Sequence, residues 1–144
     1  EIGLRGAEMI ANRIKPDVAI VTDVCHDTQT PMIDKIAEGD ISCGNGPVLT
    51  YGPAVQNNLL KMIIETAKKK KIPFQRQAVS RSTGTDTDAF AYSSGGIASA
   101  LISIPLRYMH TTVESVHKKD VESGIQLIYE TVRTLKSGQK FKYF

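Results

Sequence analysis

The chain has 144 residues, a formal net charge of +3 and 41% hydrophobic residues. This length suits one ordinary domain with its own hydrophobic core, without a disulfide scaffold. The charge is too small to indicate nucleic-acid binding by itself, and no apolar run approaches the roughly 18 residues that a membrane span requires. We therefore expect a cytoplasmic protein with neither a nucleic-acid nor a membrane partner.

The beginning of the chain predicts a helix followed by a buried strand. Apolar residues recur at three- and four-residue steps from Leu4 to Ile14, and Pro16 ends this helix. Residues 17–24 form a short β-branched run that is apolar on both faces. Such a run is typical of a strand inside a parallel sheet, covered on both sides.

A long irregular segment follows, over residues 25–52, where glycine and proline interrupt every pattern. Residues 48–51 predict a short strand within it, and residues 44–47 predict a loop of a substrate pocket. We expect Cys25 and Cys43 to be free, reduced thiols, although the sequence leaves a disulfide between them open.

The second half of the chain alternates helices with strands. We expect a helix over 55–71, a strand over 74–80, a short helix over 89–93, a strand over 97–105 and a helix over 120–138. Thr85 or Asp86 would cap the short helix, and Asp120 would cap the last one. Alternation of this kind predicts an α/β fold, a three-layer α/β/α sandwich around a mostly parallel sheet, formed by residues 1–144 as a single domain.

Three residues with metal-binding side chains lie at or just beyond predicted strand ends. Asp23 ends the first strand, His110 follows the last, and Glu1 would follow a strand before the first helix. Since parallel strands end at one edge of a sheet, these side chains would converge, and carboxylate with imidazole suits zinc, cobalt or manganese. The spacing alone also permits a loop acid, a hydrogen-bonded histidine and a chain terminus with no common site.

Four motifs, in order, resemble one enzyme family. They are Glu-Ile-Gly-Leu-Arg-Gly-Ala at 1–7, Val-Thr-Asp-Val at 21–24, Gly-Thr-Asp at 84–86 and Ile-Ser-Ile-Pro-Leu-Arg-Tyr-Met-His at 102–110. They are similar to those of the glutamyl/deblocking aminopeptidases, which include the tetrahedral aminopeptidases and proteins once labelled endoglucanase M. The resemblance runs from Glu1 to about Leu135.

The resemblance implies a dinuclear-metal exopeptidase that acts on peptides with two divalent ions, zinc or cobalt. Glu1 and His110 would bind one ion and Asp23 the other. Asp86 and Arg107 would contact the substrate, although Arg107 could equally support its loop through a salt bridge.

The resemblance also implies that part of the active site lies outside the chain. The family's general base would directly precede Glu1, and its remaining ligands and inserted dimerisation domain would lie further upstream. We therefore expect the C-terminal part of a catalytic domain, without a catalytic residue of its own and inactive alone, from a homo-oligomeric protein. Two alternatives remain: a deacylase or other amide hydrolase with the same metals, and a non-catalytic assembly domain.

Overall fold

The computed structural model describes residues 2–141, and this part of the chain forms five strands and five helices. The strands are β1 (Val18–His26), β2 (Val48–Tyr51), β3 (Gln75–Ala78), β4 (Ala98–Arg107) and β5 (Ser115–Val116). The helices are α1 (Arg5–Ile14), α2 (Lys35–Glu38), α3 (Asn57–Lys70), α4 (Asp86–Tyr92) and α5 (Lys118–Thr134), and a short 3-10 turn at Ile2–Leu4 precedes α1.

The strands form one mixed sheet in the order β1-β4-β2-β3, with β5 paired to the end of β4. β1 and β4 are parallel along their length, from the pair Val18–Ala98 to the pair His26–Leu106. β2 and β3 are also parallel, whereas β4 pairs antiparallel with both β2 and β5. The predicted α/β fold with a mostly parallel sheet is confirmed.

Helices cover both faces of this sheet. Successive residues of a strand point to opposite faces, so neighbouring residues of β1 pack against different helices. Ala19 packs with Ala11 of α1 and Ile97 on one face. The next residue, Ile20, packs on the other face against the main core, which α3, α5 and the central strands build from Leu49, Leu59, Leu60, Ile63, Ala100, Ile102 and Leu127. The sheet is therefore the middle of three layers.

The last long strand continues past the point where the sequence analysis ended it. β4 runs through Pro105 to Arg107, and Pro105 lies in register with Cys25 of β1. Proline is tolerated because the pairing with β2 ends at Ser103 and the pairing with β5 begins at Leu106. Pro105 thus lies between two neighbours on that side, where its missing N–H breaks no ladder hydrogen bond.

The final helix begins and ends earlier than predicted. His117, not Asp120, is its N-cap, and the imidazole Nδ1 accepts a 3.3 Å hydrogen bond from the N–H of Lys119. The helix ends at Thr134, and Gly138 lies in a separate turn with a φ of +76°. Asp120 is instead fully buried and has a long-range role. Gly124 faces Pro47 and Ile104, which places this helix against the sheet.

The other helix boundaries differ less. Thr85 is the N-cap of α4, as one of the two predicted alternatives, but the helix starts at Asp86 because the Thr85 hydroxyl accepts from the N–H of Thr87. In α1 only Ala7 and Ala11 are buried, while Ile10 and Ile14 are exposed. Across residues 2–141, no helix combines the length and apolar character needed to cross a membrane.

Candidate active site

A cleft of about 440 Å³ opens where β1 and β4 approach their C-terminal ends. Asp23 lines it from within β1, His110 from the turn after β4, and Asp86 from the first turn of α4. Because β1 and β4 are adjacent and parallel, residues 87 positions apart in sequence meet at one edge of the sheet. Asp23 lies inside β1 rather than at its end, since the strand extends two residues further than predicted.

The turn that carries His110 has an uncommon backbone. Tyr108 and His110 have φ values of +56° and +64°, in the left-handed region that costs non-glycine residues about 1 kcal/mol or more. Two hydrogen bonds hold the turn: the His110 N–H donates to Glu114 at 2.6 Å, and the Thr111 hydroxyl donates to the Tyr108 carbonyl at 2.6 Å. These hydrogen bonds hold the strained backbone in place, and the backbone sets the direction in which the His110 side chain leaves the turn.

A threonine-rich loop closed by Asp88 also lines the cleft. The Asp88 carboxylate accepts 3.0 Å hydrogen bonds from the N–H groups of Thr83 and Gly84. A chain of hydroxyl contacts continues from Thr83 to Thr85 at 2.8 Å and on to Thr87 at 2.9 Å. Asp88 therefore shapes the loop that presents Asp86, a role that its position in the sequence did not reveal.

A second pocket of about 290 Å³ adjoins the cleft. The two share Val24, Thr83, Thr85 and Met109 as lining residues, so they are neighbours. The second pocket reaches towards α2 and β3, where Glu38 and Gln77 line it. The sequence analysis did not find this pocket, because it is built from segments far apart in the chain.

The glycine loop at residues 44–47 lines neither of these pockets, and its predicted role as a substrate-pocket loop stays a prediction. Its N–H groups bind the buried Asp120 carboxylate: Gly44 donates to Oδ2 at 2.6 Å and Gly46 donates to Oδ1 at 2.8 Å. The loop is thus attached to the start of α5, and its glycines serve that attachment.

Arg107 is the last residue of β4. Its guanidinium carbon is 5.2 Å from the centre of the Tyr108 ring, and its Nη2 is 3.4 Å from the Tyr108 hydroxyl. Burial alone would raise the pKa of Asp27, but hydrogen bonds from Gln29 and Cys43, together with the charge of Arg107, hold that pKa below its ordinary value. Among the described residues the ion pairs do not include Arg107, so neither the predicted salt bridge nor the predicted substrate contact is seen, and both stay predictions.

The two cysteines are unbridged, as expected. Burial raises the pKa of the Cys43 thiol to about 12, and the hydrogen bond and charge of Asp27 add to this effect. Burial likewise raises the pKa of the Cys25 thiol to about 12. Both groups are therefore protonated at neutral pH and are poor nucleophiles.

The described residues include two candidate metal ligands. Asp23 and His110 share one cleft and offer the oxygen and nitrogen donors that zinc and cobalt accept. Within residues 2–141 no three His, Cys, Asp or Glu side chains come close enough together to hold an ion. Glu1, the third predicted ligand, lies outside the described residues. The donor chemistry fits a divalent metal, with one candidate ligand for each of two ions.

A family model of the M42 glutamyl aminopeptidases matches residues 1–127. The chain belongs to the M42 glutamyl aminopeptidase family. The resemblance seen in the four sequence motifs is therefore confirmed, and the family is one of metallopeptidases.

Similar M42 proteins include enzymes of archaea. The chain is 39% identical over 136 residues to the lysyl aminopeptidase of Pyrococcus furiosus, in a match covering 94% of this chain. It is 34% identical to the TET aminopeptidase of a marine sediment Thaumarchaeota archaeon, with a TM-score of 0.86 over 95% of this chain. The TET1 peptidase of Pyrococcus horikoshii, which can assemble into a tetrahedron or a large octahedral shell, is 28% identical over 91% of this chain, with a TM-score of 0.69.

The chain spans well under half of each of these relatives. The share is 38% for the Pyrococcus furiosus enzyme, 38% for the Thaumarchaeota enzyme and 37% for the Pyrococcus horikoshii enzyme. The residues described above therefore correspond to one part of a longer polypeptide in those proteins.

Proposed function

We propose that this chain is the C-terminal part of the catalytic domain of a dinuclear metalloaminopeptidase, which removes N-terminal residues from peptides. The observation that carries the proposal is the cleft shared by Asp23 and His110 in a chain of the M42 family. Two adjacent parallel strands deliver these side chains to one edge of the sheet, where α/β proteins commonly bind ligands.

The chain's own residues would hold the metals and orient the substrate. His110 and Glu1 would bind one ion and Asp23 the other, with zinc or cobalt as the metals. Bound there, the ions would supply Lewis-acid polarisation of the scissile carbonyl and a lowered pKa for water. Asp86, which also lines the cleft, would bind the free amino group of the peptide. Arg107 would act on the substrate mainly by fixing the Tyr108–His110 turn.

The activity would belong to a longer protein. The chain spans 38% of the Pyrococcus furiosus relative, and the general base and remaining ligands would come from the rest of the polypeptide. Assembly through an inserted dimerisation domain and a cytoplasmic location belong to the same proposal, and assembly is supported by the Pyrococcus horikoshii relative. We expect no peptide hydrolysis by the isolated chain, and detectable turnover by it would contradict this.

The proposal is tested in the complete, metal-loaded protein with the variant H110A. We expect loss of aminopeptidase turnover and of about one metal ion per subunit, with little change in the thermal unfolding midpoint. The matched control is H117N, which changes another exposed histidine but keeps a residue able to cap α5. Unchanged turnover and metal content in H110A would exclude His110 as a ligand.

A panel of peptides with free and acylated N-termini separates an aminopeptidase from a deacylase.

A further inference from the structure

Asn45 and Gly46 form the only asparagine–glycine pair in the chain. In such a pair the backbone nitrogen of the glycine can attack the asparagine carboxamide, because glycine has no side chain to hinder the approach. Asn45 is exposed at the tip of the glycine loop, whereas Gly46 is buried. The surface of the protein therefore carries an asparagine whose following residue favours loss of its amide group.

A buried carboxylate holds the nitrogen that would react. The Gly46 N–H donates to Oδ1 of Asp120 at 2.8 Å, and the Gly44 N–H donates to Oδ2 at 2.6 Å. Asp120 is fully buried, so water does not compete for these bonds. Hydrogen bonds to a charged acceptor are roughly twice as strong as neutral ones. Any rotation of the Gly46 peptide towards the Asn45 carboxamide must break such a bond.

Gln75 of β3 holds the same loop from another side. The Ser42 N–H donates to Gln75 Oε1 at 2.9 Å, and Gln75 Nε2 donates to the carbonyls of Ser42 at 3.0 Å and Gly46 at 2.8 Å. The Cys43 N–H donates to Asp27 at 3.1 Å. Since both ends of the loop are fixed to buried or half-buried side chains, the backbone has little freedom to form a new ring.

The fold also requires glycine after Asn45. Gly46 has a φ of +95°, and a Cβ there would lie 2.4 Å from the Pro73 carbonyl oxygen. The His117 ring lies beside the preceding glycine, since a Cβ at Gly44 would be 3.6 Å from its Cδ2. The close packing that demands glycine at position 46 therefore creates the reactive pair, and the same packing restrains it.

We propose that Asn45 is a deamidation site, which the Asp120 anchor suppresses in the folded protein and which opening of the loop exposes to reaction. The Gly46 nitrogen gives up its proton and bonds to the side-chain carbonyl carbon of Asn45. The carboxamide nitrogen takes up a proton and leaves as ammonia, which closes a cyclic imide. Water then cleaves either carbon–nitrogen bond of the imide and gives aspartate or isoaspartate.

The product would not restore the native loop. Isoaspartate lengthens the backbone by a methylene between positions 45 and 46, where the contact of Gly46 with Pro73 leaves no room for a shift. Aspartate keeps the backbone length but adds a negative charge to a loop that already binds the Asp120 carboxylate. The reaction is irreversible, so the modified fraction would record how often the loop has separated from α5.

The first test compares the folded 144-residue chain with a synthetic peptide of residues 40–50. Both are incubated in neutral buffer, and deamidation at Asn45 is followed by mass spectrometry of proteolytic fragments. We expect the folded chain to react at least about tenfold more slowly than the peptide, because reaction requires local opening. Equal rates would show that the anchor gives no protection, and an unreactive peptide would show that the pair is not a deamidation site.

The second test removes the anchor in the folded chain. We expect D120A to deamidate at Asn45 about 10- to 100-fold faster than the wild type, since the Gly46 N–H loses its charged acceptor. The matched control is L127A, which removes a fully buried side chain of the same helix but leaves the anchor in place. Equal acceleration in L127A and D120A, at similar unfolding midpoints, would overturn the role of Asp120. Asn12, which arginine follows, is the internal control and should stay unmodified.

Discussion

The backbone N–H of His110 donates a 2.6 Å hydrogen bond to the carboxylate of Glu114. This bond closes the turn after β4 and holds His110 at a φ of +64°. Glu114 thus acts on the candidate metal site without lining the cleft, since it fixes the backbone from which the imidazole projects. Supporting residues of this kind commonly change metal affinity when they are replaced.

Replacing Glu114 with alanine in the complete protein should therefore weaken metal binding. We expect about a tenfold loss of zinc affinity, measured by competition with a chelator, because the turn can relax from its strained backbone. E114Q keeps an oxygen acceptor and should lose less. The control is E122A, which removes an exposed glutamate of α5 that pairs with Lys118. Equal zinc affinity in E114A and E122A would show that the turn does not depend on this bond.

Asp120 should be important for stability. It is fully buried, and its two carboxylate oxygens accept from Gly44 and Gly46. In D120N one oxygen becomes an amide NH₂ that faces a backbone N–H, which leaves a buried donor unsatisfied. We expect a loss of about 2–3 kcal/mol in the free energy of unfolding, measured by urea denaturation. A change below about 0.5 kcal/mol would contradict the attachment of the glycine loop to α5.

Gly46 and Gly39 form a matched pair that separates backbone strain from a steric clash. Their φ values are +95° and +93°, but a Cβ at Gly46 would lie 2.4 Å from the Pro73 carbonyl oxygen, whereas one at Gly39 meets nothing within 4 Å. G39A should cost about 1 kcal/mol of stability. G46A should cost about 1–3 kcal/mol more, because the close approach forces the backbone to move. Similar unfolding midpoints for the two variants would contradict the close packing of Gly46 on Pro73.

Asp27 should make stability depend on acid pH. Its folded-state pKa lies below the ordinary value of 3.8 because Gln29, Cys43 and Arg107 stabilise the carboxylate more than burial opposes it. The resulting stability is present above about pH 4 and is lost as the pH falls through the lowered pKa. We expect D27N to be less stable than the wild type at neutral pH. The gap between their unfolding midpoints should narrow in acid, and a constant gap would argue against this linkage.

Local sequence patterns predicted the elements that do not depend on long-range contacts. Residues 48–51 form β2 as expected, because a short apolar run bounded by glycine and proline has few other conformations in a core. Pro105 and Asp120 did not follow their local signals. β4 changes its pairing partner at Pro105. The Asp120 carboxylate accepts a hydrogen bond from the N–H of Gly44, which lies 76 residues earlier, and so does not cap the helix.

The candidate site also has one part that the sequence could predict and one part that depends on long-range contacts. Parallel strand ends predicted that Asp23 and His110 approach one another, since this needs only the sheet topology. The pocket that contains Glu38 could not be predicted in this way. It depends on a contact between α2 and Gln77, 39 residues later, which no periodicity encodes.

The pairing of β1 with β4 also has a consequence for folding kinetics. Its first pair, Val18 and Ala98, joins residues 80 positions apart, so the cleft exists only after a long loop has closed. Closing such a loop costs entropy before the contacts repay it, and non-local parallel pairing is intrinsically slow. During refolding, helix formation should therefore precede the recovery of metal binding, and the lag between the two signals would measure the time needed for β4 to insert between β1 and β2.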